Sequence, residues 1–431
     1  MPQVNSTGDA RLFALEVVQR LRAAGFEALW AGGCVRDSLL GIEPKDYDVA
    51  TDARPEQVRN VFGRRQTIAV GASFGVITVL GPRHVQPVEV ATFRCDGQYS
   101  DGRHPDQVTF SDAAADAQRR DFTINGLFFD PLAERVIDYV GGQDDLRAGV
   151  VRAIGDARAR FDEDKLRMIR AVRFAATYDF SLDSSTLTAI RELAGELVIV
   201  SAERIAAEMR RLLPHPRRRR AVELLRESEL LPVILPEIRA VDPQSLTNPE
   251  LPPEARWNRL LEELDLLVAP SFSVGMATLI NDICRHDDGS RQIKLARDIC
   301  RRWRLSNDEA NRICWLLEHE ETIRLALTTP WPKLQRILVH EGVTDLLTWS
   351  DALATVRDGN TNAVEHCRCQ MGRPTHLWNP PPLLTGDDLQ RAGLKPGPFF
   401  RPLLDQIRDQ QLEGLLTSSE QALEFALRWN G

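Results

Sequence analysis

The chain has 431 residues, with 54 Lys and Arg against 62 Asp and Glu. The formal net charge of −8 excludes a surface that is basic all over, but not local basic patches. Hydrophobic residues make up 43% and no run of 18 apolar residues occurs, so two to four globular domains and no membrane span are expected.

The opening MPQVNSTGDA has no apolar stretch of signal-peptide type, so no secretory signal is expected. Seven cysteines without a CxxC pair fit free thiols in a reducing cytoplasm. Glu27–Ala31 (EALWA) predicts a short strand running into Gly32-Gly33, and Val35–Leu40 predicts a helix that Gly41 ends. Tyr47–Ala50, Phe74–Leu80 and Val88–Phe93 predict further strands from alternation and β-branched residues. Beyond about residue 155 apolar residues recur at helical spacing and strand signals almost vanish. Proline-rich breaks at Asn248–Pro253 and Asn379–Pro382 mark soft boundaries. The expected fold class is therefore α+β: a small mixed sheet with helices, followed by an all-helical remainder.

Ala31–Thr51 (AGGCVRDSLLGIEPKDYDVAT) carries the most chemistry. Asp46 and Asp48 lie two apart on an expected strand, so their carboxylates share a face and can hold a pair of Mg²⁺ ions. All-oxygen donors favour Mg²⁺ over softer metals. Gly32 and Gly33 precede a helix, where backbone can approach a phosphate closely, and Arg36 in the first turn adds a charged donor. A DxD pair alone is weak evidence, since surface strands often carry two acids. Its placement after GG across strand, helix and strand sharpens it.

The stretch GGCVRDSLLG…KDYDVAT resembles the first motif of the nucleotidyltransferase superfamily, in the form found in class II tRNA nucleotidyltransferases (CCA-adding enzymes) and bacterial poly(A) polymerases. The resemblance implies a polymerase-β-like head, with Asp46 and Asp48 as catalytic, metal-binding carboxylates. Gly33 and Arg36 match positions that contact the nucleotide. Glu89, on the strand VEVATF, is a candidate third carboxylate, unless it is an ordinary solvent-facing strand residue.

Arg119–Pro131 (RRDFTINGLFFDP) resembles the second motif, with Gly126 where the family commonly has Ala. Arg120 then matches a nucleotide ligand, while Asp121 and Asn125 orient the arginine and the sugar. Asp138–Arg147 resembles the next segment, whose Gly141-Gly142 is either a hinge or an ordinary turn. In Arg160–Phe174 (RFDEDKLRMIRAVRF), Asp164 and Arg167 are expected as neighbours three apart on a helix. Acid and base at this spacing can also be a plain surface ion pair. A carboxylate acceptor beside an arginine fork would take cytosine or adenine and reject uracil or guanine, because a wrong base leaves buried polar groups unpaired at about 1–3 kcal/mol each. EDxxR is the family's base-reading motif, and Arg170 and Arg173 match further nucleotide contacts. Ser201–Glu208 (SAERIAAE) resembles a motif that supports this helix.

The domains expected are a catalytic head (1–150), a helical neck (151–215), a helical body (216–378) and a tRNA-binding tail (379–431). The implied activity is template-independent addition of C and A to the 3′ end of tRNA from CTP and ATP. The expected partners are the tRNA 3′ end and acceptor arm, with no membrane and no obligate protein partner. A loop at Phe93–Phe110 of full length and a tail at Leu383–Ala422 favour CCA addition. Phe62–Arg65 (FGRR) weakly favours a poly(A) polymerase. The same motifs also permit CC-only addition, A-only addition or a catalytically silent RNA-binder. Asn281-Asp282 stands where some relatives carry His-Asp of a phosphohydrolase, so no such activity is expected. The run Arg217–Arg220 reads as a solvated face or a phosphate contact, and Trp303, Trp315 and Trp331 read as core.

Overall fold

The computed structural model describes residues 6–69, 74–97, 108–241, 253–284 and 289–429. The chain divides into two compact units, residues 1–212 with 220–239 and residues 213–219 with 240–431.

In the first unit, α1 (Ser6–Ala23) leads into β1 (Ala28–Ala31), α2 (Gly33–Leu39), β2 (Asp48–Thr51) and α3 (Pro55–Phe62). All four residues of β1 are buried, as the apolar run requires. Gly32 has φ 70° and ψ −121°, a region essentially reserved for glycine, and turns β1 straight into α2. Next come β3 (Thr67–Ile68), β4 (Val76–Val79), β5 (Val88–Thr92), a ribbon of β6 (Arg94–Asp96) and β7 (Val108–Phe110), α4 (Ala113–Gln118), β8 (Leu127–Asp130) and β9 (Arg135–Asp138).

Seven strands form one mixed sheet in the order β3-β4-β5-β2-β1-β8-β9. Only β2 and β5 run parallel, with α3, β3 and β4 supplying the crossover between them. Leu29, Ala31, Ala50 and Phe128 from three central strands pack with Phe93 and with Ala113 and Ala117 of α4. Asp48 lies two residues before Ala50, so it continues that face at the open end of β2. Strands β8 and β9 were not anticipated as a hairpin, because LFFD is an unbroken apolar run that a buried helix would carry equally well.

The unit continues with α5 (Gly142–Ala148), β10 (Val150–Val151), α6 (Ala157–Glu163), α7 (Leu166–Tyr178), β11 (Ser181–Leu182), α8 (Ser184–Leu193), α9 (Ala202–Leu212), α10 (Arg218–Glu227, whose start belongs to the second unit) and α11 (Leu231–Ile234). Short polar side chains start the helices. The carboxylates of Asp112, Asp156 and Asp183 accept the N–H groups of Ala115, Ala159 and Ser185 at 2.8, 2.8 and 3.1 Å. One expectation needs correction here. Asp164 does not share a helix with Arg167; it lies in the break between α6 and α7 with extended φ −153° and ψ 105°. Its carboxylate accepts the N–H of Leu166 at 3.0 Å, a local bond that competes with continuing the helix.

The second unit holds α12 (Pro253–Leu266), α13 (Phe272–Cys284), α14 (Gly289–Arg302), α15 (Asn307–Arg324), α16 (Trp331–Leu338), α17 (Val343–Arg357), α18 (Asn362–Met371), α19 (Thr375–Trp378), α20 (Gly386–Arg391), α21 (Phe400–Leu412) and α22 (Ser419–Arg428). No helix among the described residues is long and apolar enough to cross a membrane. Residues 384–426 have a core of their own, in which Leu384, Leu389, Leu403, Ile407, Ala422 and Ala426 meet. The arginine run is not one surface. Arg218 is buried and donates to the carbonyls of Leu213, Leu264 and Leu267 at 3.0, 3.0 and 2.9 Å, which ties down the last turn of α12. Trp303 is buried, whereas the half-buried Trp315 stacks on His340 with ring centroids 4.0 Å apart.

Candidate active site

Strand β2 begins at Asp48, so Asp46 stands just ahead of the strand rather than on it. Both acids are exposed, with Tyr47 buried between them. The register of β2 and β5 sets Asp48 directly beside Glu89, which is also exposed. The Asp48 carboxyl is pushed up to about 6, first by desolvation and then by the negative charges of Asp46 and Glu89; Arg120 offsets this only in part. Its side chain reaches solvent by surface area, yet the surrounding protein still removes enough water to dominate the shift. Three carboxylates therefore crowd one another with too little positive charge nearby. Among the described residues no group of three or more His, Cys, Asp or Glu is arranged so that it could hold a metal ion.

Gly32 approaches the second motif closely. A Cβ on it would stand 2.8 Å from Nη1 of Arg120. Arg120 is held by Asp116, which accepts from its Nε at 3.2 Å and its Nη2 at 2.9 Å, and Arg120 also donates to the carbonyl of Asn125 at 3.2 Å. Asp116 is buried and takes Arg119 as well, at 2.8 Å. Burial alone would raise the Asp116 carboxyl, but the two guanidinium groups hold it below the usual range. Sequence reading passed over Asp116, although its spacing of three and four to the two arginines was a visible signal.

A buried chain of charge-assisted hydrogen bonds runs onward from α2. Arg36, only 6% exposed, donates to Asn125 at 2.5 Å and to Asp37 at 2.9 Å. Asn125 donates to Asp121 at 2.9 Å, and Asp121 receives Arg170 at 2.9 and 2.6 Å. Desolvation pushes the Asp121 carboxyl up, but Arg170 and the hydrogen bonds from Asn125 and Arg170 outweigh it and bring it to about 2. Glu208 of α9 receives Arg173 at 2.5 Å, with Arg170 at 3.9 Å. The ring of Phe174 lies within 4.1–5.3 Å of the guanidinium carbons of Arg36, Arg170 and Arg173. Tyr178 closes the group by donating to Asp37 at 2.8 Å. Asp37, Phe174, Tyr178 and Glu208 were not singled out from the sequence as site residues. Tyr178 and Glu208 bond partners 141 and 35 positions away, so spacing carried no signal for them, whereas Phe174 lies within one helical turn of Arg170 and Arg173.

Asp164 and Arg167 are brought to the same turn, but each has another partner. Asp164 receives Arg204 of α9 at 2.7 Å. Arg167 donates to Glu163 at 2.5 Å and to the carbonyl of Arg160 at 3.0 Å. Gly33 opens α2 beside Arg36. Most of the expected Phe93–Phe110 loop, residues 98–107, lies outside the described residues; its two ends pair as β6 and β7. A cleft of about 1130 Å³ in the second unit is lined by Asn281, five cations and five acids, including Lys294, Arg297 and Glu318. That balanced lining shows no preference for an anion, and it carries none of the motif residues. His286-Asp287, a His-Asp pair that follows Asn281-Asp282 in the sequence, lies outside the described residues.

The poly A polymerase head domain model matches residues 28–152, and a model described as a probable RNA and SrmB-binding site of polymerase A matches residues 179–241. A CCA-adding enzyme of Streptococcus mutans is 31% identical over 418 residues, 95% of each chain. Poly(A) polymerase I of Haemophilus influenzae is 40% identical over 239 residues, 53% of this chain and 52% of that one. The crystal structure of the Bacillus stearothermophilus CCA-adding enzyme in complex with CTP aligns over 96% of each chain with a TM-score of 0.74 and 28% identity. With 31% identity to a CCA-adding enzyme along 95% of each chain, and the head-domain match over residues 28–152, this chain belongs to the nucleotidyltransferase family of CCA-adding enzymes and poly(A) polymerases.

Proposed function

We propose that the chain adds C and A nucleotides, as CCA, to the 3′ end of tRNA, taking CTP and ATP and using no nucleic-acid template. The observation that carries this is the extent of the likeness. A relative named CCA-adding enzyme matches over 95% of both chains, whereas the poly(A) polymerase I matches over 53% of this one. We assign residues 1–150 to a catalytic head, 151–215 to a neck, 216–378 to a body and 379–431 to a tail that holds the tRNA. A tRNA substrate and free thiols support a cytoplasmic location.

Enzymes of this family generally use divalent metal ions, and the donor set here suits Mg²⁺. Asp46 and Asp48 offer hard oxygen donors; desolvation and then the charges of Asp46 and Glu89 raise Asp48, and a dication would neutralise the negative charge gathered there. Those two residues would hold the metal, with Glu89 beside Asp48 as a third carboxylate. When bound, such ions neutralise the triphosphate and favour ionisation of the attacking 3′-hydroxyl. The protein's own groups do the rest. Gly32 and Gly33 let backbone come close to the phosphates, and Arg120 supplies a guanidinium beside them. Arg36, Asn125, Asp121 and Arg170 form the chain that fixes the pocket wall, and Arg173 extends it to α9. Asp164 and Arg167 accept from and donate to the edge of cytosine or adenine.

The test is metal-dependent incorporation of labelled CTP and ATP into tRNA. Asp46→Ala should lower the rate at least about a thousandfold, since lost metal-ion stabilisation is worth several kcal/mol. The fold should survive, as Asp46 is exposed ahead of its strand. Incorporation that persists in Asp46→Ala, or in excess EDTA, would contradict the assignment.

A further inference from the structure

We propose that Tyr178 is a positioning residue for nucleotide binding, whose ring and hydroxyl together fix the guanidinium of Arg36 beside the Gly32-Gly33 turn. The proposal rests on the nucleotide contact that the first motif implies for Arg36.

An arginine side chain is long and carries much rotamer freedom, and ordering it only when a ligand arrives costs affinity. Here that freedom is already removed. Phe174 and Tyr178 stand four residues apart on α7, so their rings lie on one face of the helix. The two ring planes are within 15° of each other, with centroids 6.4 Å apart. Cζ of Arg36 lies 5.1 Å from the centroid of Phe174 and 4.6 Å from that of Tyr178. Nε and Nη2 of Arg36 both meet Oδ1 of Asp37, at 2.9 and 2.8 Å, and Nη1 donates to Asn125. The Tyr178 hydroxyl donates to that same Asp37 oxygen at 2.8 Å. Tyr178 therefore acts on Arg36 twice, directly through its ring and indirectly through Asp37.

Phe174 does not do the same work, because Arg170 and Arg173 also lie against its ring. Among the described residues, Arg36 is the only cation over the ring of Tyr178. Burial strengthens the ring contact and the ion pair alike, and Arg36 is only 6% exposed. Burial, joined by the bond to Asp37, outweighs the pull of Arg36 and pushes the Tyr178 hydroxyl up to about 12, so it stays a donor at any working pH. The contacts described take three of the five N–H groups of Arg36. Nη2 lies beside the turn that opens α2: a Cβ on Gly33 would stand 3.7 Å from it. A guanidinium held on its face by two rings and on its edges by Asp37 and Asn125 meets a nucleotide at that turn in one orientation.

The experiment measures, on the full-length protein, kcat and KM for CTP with tRNA lacking CCA, the same for ATP with tRNA lacking only the final A, and KM for each tRNA. The variants are Tyr178→Leu, Tyr178→Phe, Arg36→Ala, the double variant of Tyr178→Leu with Arg36→Ala, and Arg158→Ala. Arg158 pairs with Glu192 on the surface and serves as the control. Tyr178→Leu is expected to raise KM for both nucleotides at least about tenfold, since a desolvated ring contact and a hydrogen bond to a charged group are lost together. Tyr178→Phe keeps the ring and is expected to raise it about threefold. KM for tRNA in these variants, and every constant of Arg158→Ala, should stay within about twofold of wild type. In the Arg36→Ala background, Tyr178→Leu should add less than about twofold, because its effect runs through that arginine. Unchanged nucleotide KM in Tyr178→Leu and Tyr178→Phe, or losses that add in full to those of Arg36→Ala, would make Tyr178 merely structural and overturn the proposal. Should Tyr178→Leu not fold, Tyr178→Phe decides alone: the threefold rise supports the proposal, and no rise overturns it. An Arg36→Ala protein with unchanged nucleotide KM would instead sink the nucleotide contact of Arg36, a result distinct from failure of Tyr178.

Discussion

Asp48 shows how a single residue can be set against its own fold. Its carboxyl is raised to about 6 in the native protein, first by desolvation and then by Asp46 and Glu89, against about 3.9 in an unfolded chain. The native state thus holds a proton that the unfolded chain has already lost between about pH 4 and 6. Stability conferred by this residue falls as pH rises through that window and stays reduced above it. Asp48→Asn should therefore raise the melting temperature of metal-free protein at pH 8, and the gain should shrink toward pH 5. An equal gain at both values would mean that the raised Asp48 carboxyl is not the cause. Gly32 makes a second case. Its positive φ and a Cβ position 2.8 Å from Arg120 leave no room for a side chain. Gly32→Ala should cost roughly 1–3 kcal/mol in thermal or denaturant unfolding and displace Arg120, with activity lost beyond the loss of fold. The roles proposed for Asp46, Asp48 and Arg120 come from the resemblance of their motifs to the family's, because local spacing alone left both motifs open to a plain surface reading. Asp116 could have been found by its spacing to Arg119 and Arg120. Asp37, Tyr178 and Glu208 could not, since only the folded chain brings them to their partners.

At the scale of elements, periodicity located strands β1, β2, β4 and β5 within a residue or two. It missed the break at Asp164, because no glycine or proline marks it. A side chain bonding its own backbone ended the helix instead, and that choice is decided by Arg204 and Leu166 rather than by propensity. The arginine run misled for a related reason. Charge runs are usually solvated, but Arg218 finds four carbonyls, two of them at the end of α12, and is buried for them. A buried ion pair likewise joins α12 to α17. Glu263, fully buried, receives Arg357 at 2.6 and 3.2 Å. Removing one partner of such a pair leaves an uncompensated buried charge. Glu263→Ala is expected to lower stability by about 3–5 kcal/mol in denaturant titration. A loss under about 1 kcal/mol would show that water reaches Arg357 readily.

For the whole molecule, the change from strand signals to helical spacing near residue 155 marked the end of the sheet. Among the described residues, the structure adds only the two-residue strand β11 after it. Composition and motifs alone could not distinguish CCA addition from poly(A) synthesis, because relatives of both names match this chain. The measurement that decides it is extension by the full-length protein with Mg²⁺, on tRNA lacking CCA, on tRNA lacking only the final A and on an unrelated RNA, with each nucleotide alone and with CTP and ATP together. Growth of tRNA by three nucleotides that then stops, with no growth of the unrelated RNA, is the result predicted. Long A tracts on any RNA would contradict it and make the protein a poly(A) polymerase.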